Sequence, residues 1–329
     1  MKIFFIYMFL FFLKAFCCFS QPSFSGSGTD IDPYQIWNGT HFKELAESTY
    51  TLSSADWTRN KHFKLINDID LGDSIFGLGY WRGHFHGNGK TITRNYESVI
   101  CSELGYYLDG VTATIDSLIA DGYAYTDHIY IAGIVCIIRY GSIISNCVNN
   151  ATIICTDDGS KYGMFEKGAI VAKNEGTIIN CINNGDITGV DRIGGIAGDN
   201  DGGQIINCIN TGKITATASG DNSIFSGVGG ICGTIANSSY YGISNCVNTG
   251  TVVGQGFVGG IIGLANGKPM SPSPITNCVN YGYIKGTSAV GGIAGIMWGG
   301  IYANVNISNC VNAGVVEGSS DVGSIVGKE

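Results

Sequence analysis

Ile275-Thr276-Asn277-Cys278-Val279-Asn280-Tyr281-Gly282-Tyr283-Ile284-Lys285-Gly286, followed by Val290-Gly291-Gly292-Ile293-Ala294-Gly295, is the cleanest copy of a pattern that this chain repeats. The Asn-Cys pair recurs at Cys147, Cys181, Cys208, Cys246, Cys278 and Cys310, with gaps of 34, 27, 38, 32 and 32 residues. Self-similarity at this period marks a solenoid, in which each unit buries its apolar edge by stacking on the next.

Counted from each Cys, Ile stands three positions before it: Ile144, Ile178, Ile205, Ile243, Ile275 and Ile307. Ile or Val stands six after it: Ile153, Ile187, Ile214, Val252, Ile284 and Val316. The Ile of Gly-Gly-Ile follows at fifteen in Ile196, Ile261 and Ile293, with Gly-Ser-Ile giving Ile325. These columns predict three short strands per coil, stacked into parallel sheets around a narrow core. Gly at four, eight and seventeen after the Cys suits corners with positive φ. Asn at two after it is placed to bond across stacked turns. An earlier coil, Thr114 to Gly122 with Ile131-Ala132-Gly133-Ile134, fits the same template and puts Leu118 in the Cys slot. The fold class is therefore all-β, a parallel β-helix of about seven coils.

Leu118 also decides how the cysteines read. Twelve cysteines suggest a disulfide framework. Yet a column that accepts Leu is buried and apolar, so Leu118, Cys147, Cys181, Cys208, Cys246, Cys278 and Cys310 form a packing ladder. Disulfides between coils and metal binding are the alternatives. Bridges fit better among the off-column Cys101, Cys136, Cys155 and Cys232.

Gly accounts for 50 of 329 residues and charged residues for 13%, while 44% are hydrophobic. That profile suits a tightly turning β protein and excludes a disordered chain. The net charge of −8 and the lack of a Lys/Arg stripe exclude a nucleic-acid-binding face. Residues 1–20 read as a signal peptide, with Lys2 ahead of an apolar run from Ile3 to Leu13. No second run is long enough to span a membrane, so the mature chain is expected to be secreted or held at the cell surface. Sequons at Asn38, Asn150, Asn237 and Asn306 are candidate N-glycosylation sites.

Residues 21–100 read as an N-terminal cap region, and 101–329 as the repeat β-helix. In the cap, Thr40 is placed to start a short amphipathic helix, His41 to Ser48, with Phe42, Leu45 and Ala46 on one side. Gly83 to Ile92 reads as strand, Asn-Gly turn and strand, an exposed hairpin. Gly28-Thr29, Asp32-Pro33-Tyr34, Asp68-Ile69-Asp70-Leu71 and Phe85-His86-Gly87-Asn88-Gly89-Lys90-Thr91-Ile92 resemble the opening of GLUG-motif repeat proteins, whose naming motif the Gly-Gly-Ile-x-Gly units resemble. The resemblance implies a right-handed parallel β-helix in a secreted or surface protein. His86 departs from it, standing where that family usually has Asp. No catalytic residue is carried across.

His84 and His86 share one strand face, but no Cys or acid stands at a zinc-type spacing. No metal site, cofactor or catalytic residue is expected. Paired carboxylates would be needed to hydrolyse a polysaccharide. Asp157, Asp158, Asp186, Asp191, Asp199 and Asp201 are the nearest candidates and read as solvated turn acids. Variation concentrates after Gly-Gly-Ile-x-Gly, in Asp199–Gln204, Thr234–Gly242, Leu264–Pro274 and Ile296–Asn306. Loops held out by a rigid scaffold are common recognition sites, which makes Tyr240, Tyr241, Trp298 and Tyr302 candidate binding residues for a glycan or a partner surface protein. The expected function is a secreted or cell-surface structural or adhesive β-solenoid, non-enzymatic. The alternative is a polysaccharide-active lyase or glycoside hydrolase. The repeat runs to Gly327 with only Lys328 and Glu329 beyond, which predicts end-to-end association or a chain cut short.

Overall fold

The computed structural model describes residues 24–51, 57–73, 77–95, 99–106, 110–126, 130–155, 166–217, 227–235, 242–266, 273–298 and 305–329. Residues 1–20, read above as a signal peptide, lie outside this set. Among the described residues the chain is almost wholly strand, with one helix, α1 (Gly39–Ser48). Every strand pairing is parallel, and the strands stack coil upon coil into a β-solenoid.

One coil shows the plan. Thr177–Ile179 lies in a ten-stranded sheet; Ile182–Asn183 and Ile187–Gly189 lie in two columns of a fifteen-stranded sheet. Ile193–Gly194 then joins a seven-stranded sheet and Ala197–Asn200 a nine-stranded one. The three expected strand positions are all present, but each of the six cysteine coils carries five short strands. Cys181 precedes an extra two-residue strand, and the Gly195-Ile196 corner divides the third position into two.

The register follows the columns read from the sequence. Ile144 faces Ile178, which faces Ile205, then Ile243, Ile275 and Ile307. Ile153, Ile187, Ile214, Val252, Ile284 and Val316 run likewise. Most of these side chains are fully buried, each contributing roughly 1.5–3 kcal/mol. In-register stacking is why the pattern tolerates so little change.

The corners work differently from expectation. The residue before each Cys takes the left-handed conformation: Asn146, Asn180, Asn207, Asn245, Asn277 and Asn309 have φ of 53–55°, and Ser117 in the first coil has 53°. Asn tolerates this region better than other residues with a Cβ. Glycines of the repeat provide close approach instead. A Cβ on Gly185 would stand 2.0 Å from Ala151 O, and one on Gly195 2.5 Å from Cγ of Asn210 in the next coil. The Gly-Gly corner and the Asn column thus interlock.

That column is a continuous ladder. Asn149, Asn183, Asn210, Asn248, Asn280 and Asn312 each fall two after a Cys, and all but Asn312 are fully buried. Each Nδ2 donates to Oδ1 of the next: 2.9, 2.7, 2.8, 2.8 and 2.8 Å along the row. The second N–H of each donates to a carbonyl two residues on in its own corner, as Asn210 does to Gly212 O at 3.0 Å. The row starts where it must. Ala120 stands opposite Asn149 in the preceding coil, and Asn149 Oδ1 is buried without a donor.

The N-terminal strands Tyr34–Ile36, His62–Leu65 and His84–His86 are the first three members of the ten-stranded sheet. His84–His86 and Thr91–Asn95 lie in different sheets, so the expected hairpin is a solenoid corner. Asn88 (φ 56°) and Gly89 (φ 68°) turn it. Helix α1 is capped by Asn38 rather than Thr40, its Oδ1 accepting from His41 N at 3.0 Å. Phe42, Leu45 and Ala46 are buried in the same core as Phe63, Trp81 and Phe85. No described helix is long and apolar enough to cross a membrane.

Candidate functional site

The variable segments all connect the nine-stranded sheet to the ten-stranded one, following Ala197–Asn200, Cys232–Ile235, Ile262–Asn266 and Ala294–Trp298 in turn. They therefore share one edge of the solenoid. Trp298, the last residue of its strand, is 41% exposed and pairs with Asn266 in the preceding coil. Tyr240, Tyr241 and Tyr302 lie outside the described residues. On the same edge, earlier along the axis, a cleft is lined by Tyr140, Gly141, Glu175, Thr177, Gly202 and Gln204. Tyr140 is 70% exposed there. The loop pattern did not reveal this tyrosine, because its own corner is short. Of the sequons, Asn38, Asn150 and Asn306 are exposed, and Asn237 lies outside the described residues.

The ladder cysteines point inward and are not in disulfides, nor are Cys101, Cys136, Cys155 and Cys232. Leu118 and the ladder cysteines through Cys278 are fully buried, while Cys310 is partly covered. Each Sγ rests on the carbonyl two residues before it: Ser145 O from Cys147 at 3.3 Å, Ile206 O from Cys208 at 3.3 Å. Burial pushes the thiols of Cys147, Cys208 and Cys246 up, away from the thiolate that nucleophilic chemistry needs. Burial likewise raises Cys136 to about 12.

The acids separate into two groups. Asp186 is an exposed turn acid that accepts from Lys213 N at 2.8 Å. Asp157 and Asp158 lie outside the described residues. Asp199 corrects the expectation of a solvated turn. It is a strand residue, 2% exposed, with Oδ2 3.6 Å from Arg192 Nη1. The same Nη1 meets Glu166 Oε1 at 2.8 Å. No column of the repeat points to Glu166, because the spacing from Cys155 to its strand is longer than the matching spacing in most other coils. Burial pushes Asp199 up to about 7 and raises Glu166, although Arg192 opposes both shifts. Beside them a continuous ion-pair row runs across the coils: Glu103 to Arg139 (3.0 Å), Arg139 to Glu175 (3.2 Å), Glu175 to Lys173 (3.2 Å) and Lys173 to Asp201 (2.8 Å).

A third cluster lies on the outer face of the ten-stranded sheet near its N-terminal end. Stacking puts His62 opposite His84 and His84 opposite Thr114, with His86 opposite Asp116. His84 Nδ1 contacts Thr114 Oγ1 at 3.0 Å, and its ring stacks on His62 at 4.4 Å. His86 Nδ1 meets Asp116 Oδ2 at 2.8 Å, and its Nε2 is 3.0 Å from His62 Nδ1. Asp30 Oδ1 lies 3.6 Å from that same His62 nitrogen. Burial lowers the pKa of both His62 and His84; neighbouring histidines reinforce the shift. His62 and Asp30 were invisible as a site in the sequence, since coils of irregular length bring them to His86.

No family model matches the chain, and no curated protein matches it. Among solved structures it is similar to a Bacteroides ovatus protein provisionally assigned as an immunoglobulin A1 protease. The two share 18% identity over 91% of this chain and 86% of the other, with a TM-score of 0.47. So loose a likeness carries no activity across. The class of this protein, a parallel β-solenoid, rests on its own strand pairing.

Proposed function

We propose that this protein is a secreted or cell-surface structural or adhesive β-solenoid of the GLUG-like kind. In this reading it is non-enzymatic and uses the edge between its nine- and ten-stranded sheets to bind a glycan or a partner surface protein. The observation that carries this reading is the concentration of variation on that edge. Four connections that vary from coil to coil leave there, together with the exposed rings of Tyr140 and Trp298 and the cleft beside Glu175 and Gln204. An exposed aromatic ring next to polar side chains is suited to stacking on a sugar face or filling a partner's pocket. A glycan array with Tyr140→Ala and Trp298→Ala variants tests it. Binding that survives both substitutions unchanged removes the edge as the recognition surface.

The Glu166–Arg192–Asp199 group favours one second reading, a polysaccharide-active enzyme. An acid whose pKa is raised toward neutral, as burial raises that of Asp199, suits proton donation to a leaving group. Against it, both carboxylates close on a single guanidinium instead of facing each other across a substrate cleft. Incubation with a panel of polyanionic glycans separates the readings, since new reducing or unsaturated ends belong to the enzyme alone.

A further inference from the structure

We infer that Asp30, His62 and His86 form a binding site for a zinc-class divalent ion. The donors are two imidazole nitrogens and one carboxylate oxygen, a set that selects zinc and its borderline neighbours over calcium or magnesium. Donors bound at about 2.0–2.1 Å around a tetrahedral ion lie roughly 3.3–3.4 Å from one another. Here His62 Nδ1 lies 3.0 Å from His86 Nε2 and 3.6 Å from Asp30 Oδ1, and all three donors fall within 4.8 Å of one another. The three atoms are already gathered to within a few tenths of an ångström of that spacing on two of the three edges.

The surroundings orient the donors. Asp116 accepts the Nδ1 proton of His86, which leaves the Nε2 lone pair directed at the shared point. A carboxylate behind a ligating histidine is the usual outer support of a metal site. His62 is held in place by the stacked ring of His84, itself fixed by Thr114. Coordination through Nδ1 places the proton of a neutral His62 ring on Nε2. Without an ion, the same atoms form a relay in which His62 Nδ1–H donates to His86 Nε2. That relay leaves Asp30 unexplained: it is exposed, yet its Oδ1 stands 3.6 Å from His62 Nδ1.

The ion would act as a clasp. Asp30 belongs to a turn in which Asp32 O accepts from the backbone of Ser27 and Thr29, and this turn meets the sheet through His62 N to Gly28 O at 3.0 Å. Coordination would join the turn to two successive strands of the sheet. Three protein ligands leave a fourth position for water or for an atom from a bound partner.

The test uses the mature chain without a histidine tag, stripped with chelator and titrated with Zn²⁺ by calorimetry and with Co²⁺ by absorption. One equivalent is expected, with the intense visible bands of a low-coordinate cobalt site. Asp30→Ala, an exposed change that leaves folding intact, and His86→Gln are each expected to weaken binding at least about 10-fold, and Asp116→Asn about 10- to 100-fold. His84→Gln, which removes no ligand, is expected to weaken it less than His86→Gln does. Circular dichroism checks that each variant is folded. Absence of a stoichiometric site in the wild type overturns the inference. So does binding that Asp30→Ala and His86→Gln leave unchanged, since the ion would then sit elsewhere.

Discussion

Replacing Asn210 by Ala should be among the most damaging single changes in the solenoid. Its amide takes part in three hydrogen bonds in a fully buried place: from Asn183 Nδ2 at 2.7 Å, to Asn248 Oδ1 at 2.8 Å and to Gly212 O at 3.0 Å. Alanine removes all three and leaves their partners in a dry corner where water has little room. A net hydrogen bond is worth about 1 kcal/mol, and a buried group stripped of its partner costs about 1–3 kcal/mol. The expected loss is therefore about 3–5 kcal/mol, a large share of the roughly 5–15 kcal/mol that holds a typical domain. The comparison that isolates the ladder is Asn149→Ala. Asn149 Oδ1 has no donor, so this change removes two bonds and also relieves a buried orphan. It should cost about 1–2 kcal/mol less than Asn210→Ala. Urea unfolding followed by circular dichroism measures both. Equal losses, or a loss under about 1 kcal/mol for Asn210→Ala, would refute the claim that the amide row holds the coils together.

Three further outcomes are expected. Asp199 has a folded pKa near 7, above that of an unfolded carboxyl, so its stabilising contribution is present in acid and lost as pH rises toward 7. Asp199→Asn should then change little at pH 4 and stabilise the chain at pH 8 by on the order of 2 kcal/mol, read from paired unfolding curves; a stabilisation confined to pH 4 would reverse the sign and sink the argument. Residues 21–329, unfolded without reductant, should titrate ten thiols, since none of the ten described cysteines is in a disulfide; a count of zero would replace the packing ladder with disulfides. In a polypeptide that stops at Glu329, Val311, Val315 and Val322 are exposed, at 54%, 66% and 46%, and edge strands of this kind recruit further strands. Sedimentation velocity should show association that grows with concentration, and a monomer throughout the range would exclude it.

The repeat made the architecture legible because its contacts are periodic. Ile144, Ile178 and Ile205 share a column in the sequence for the same reason that they touch in space. Function was less legible, and particular residues show why. Glycines signal that a side chain is not tolerated, without saying whether φ or crowding forbids it; Gly185 and Gly195 are excluded by crowding, while Asn180 and Asn207 take the positive φ. Asn38 and Thr40 both suit a helix start, and Asn38 holds the place because its oxygen reaches His41 N. His62, His84 and His86 sit in the first coils, where lengths differ from the later period, so no fixed spacing aligns them. Asp199 and Asp201 alternate along one chain segment, yet the first turns toward Arg192 and is buried while the second reaches Lys173 at a more open position.

The asparagine row also gives the molecule a polarity. Every amide in it points its N–H the same way along the axis, so six side-chain dipoles add head to tail, each strengthening its neighbour. Such a row can be lengthened by inserting a whole coil, because the new amide receives from one side and gives to the other. It cannot absorb half a coil. Spacings of 27 to 38 residues between successive cysteines fit that rule: chain length between corners is free to drift, while the count of amides changes only in whole steps. Duplication of complete coils is thus the natural way for this protein to change its reach.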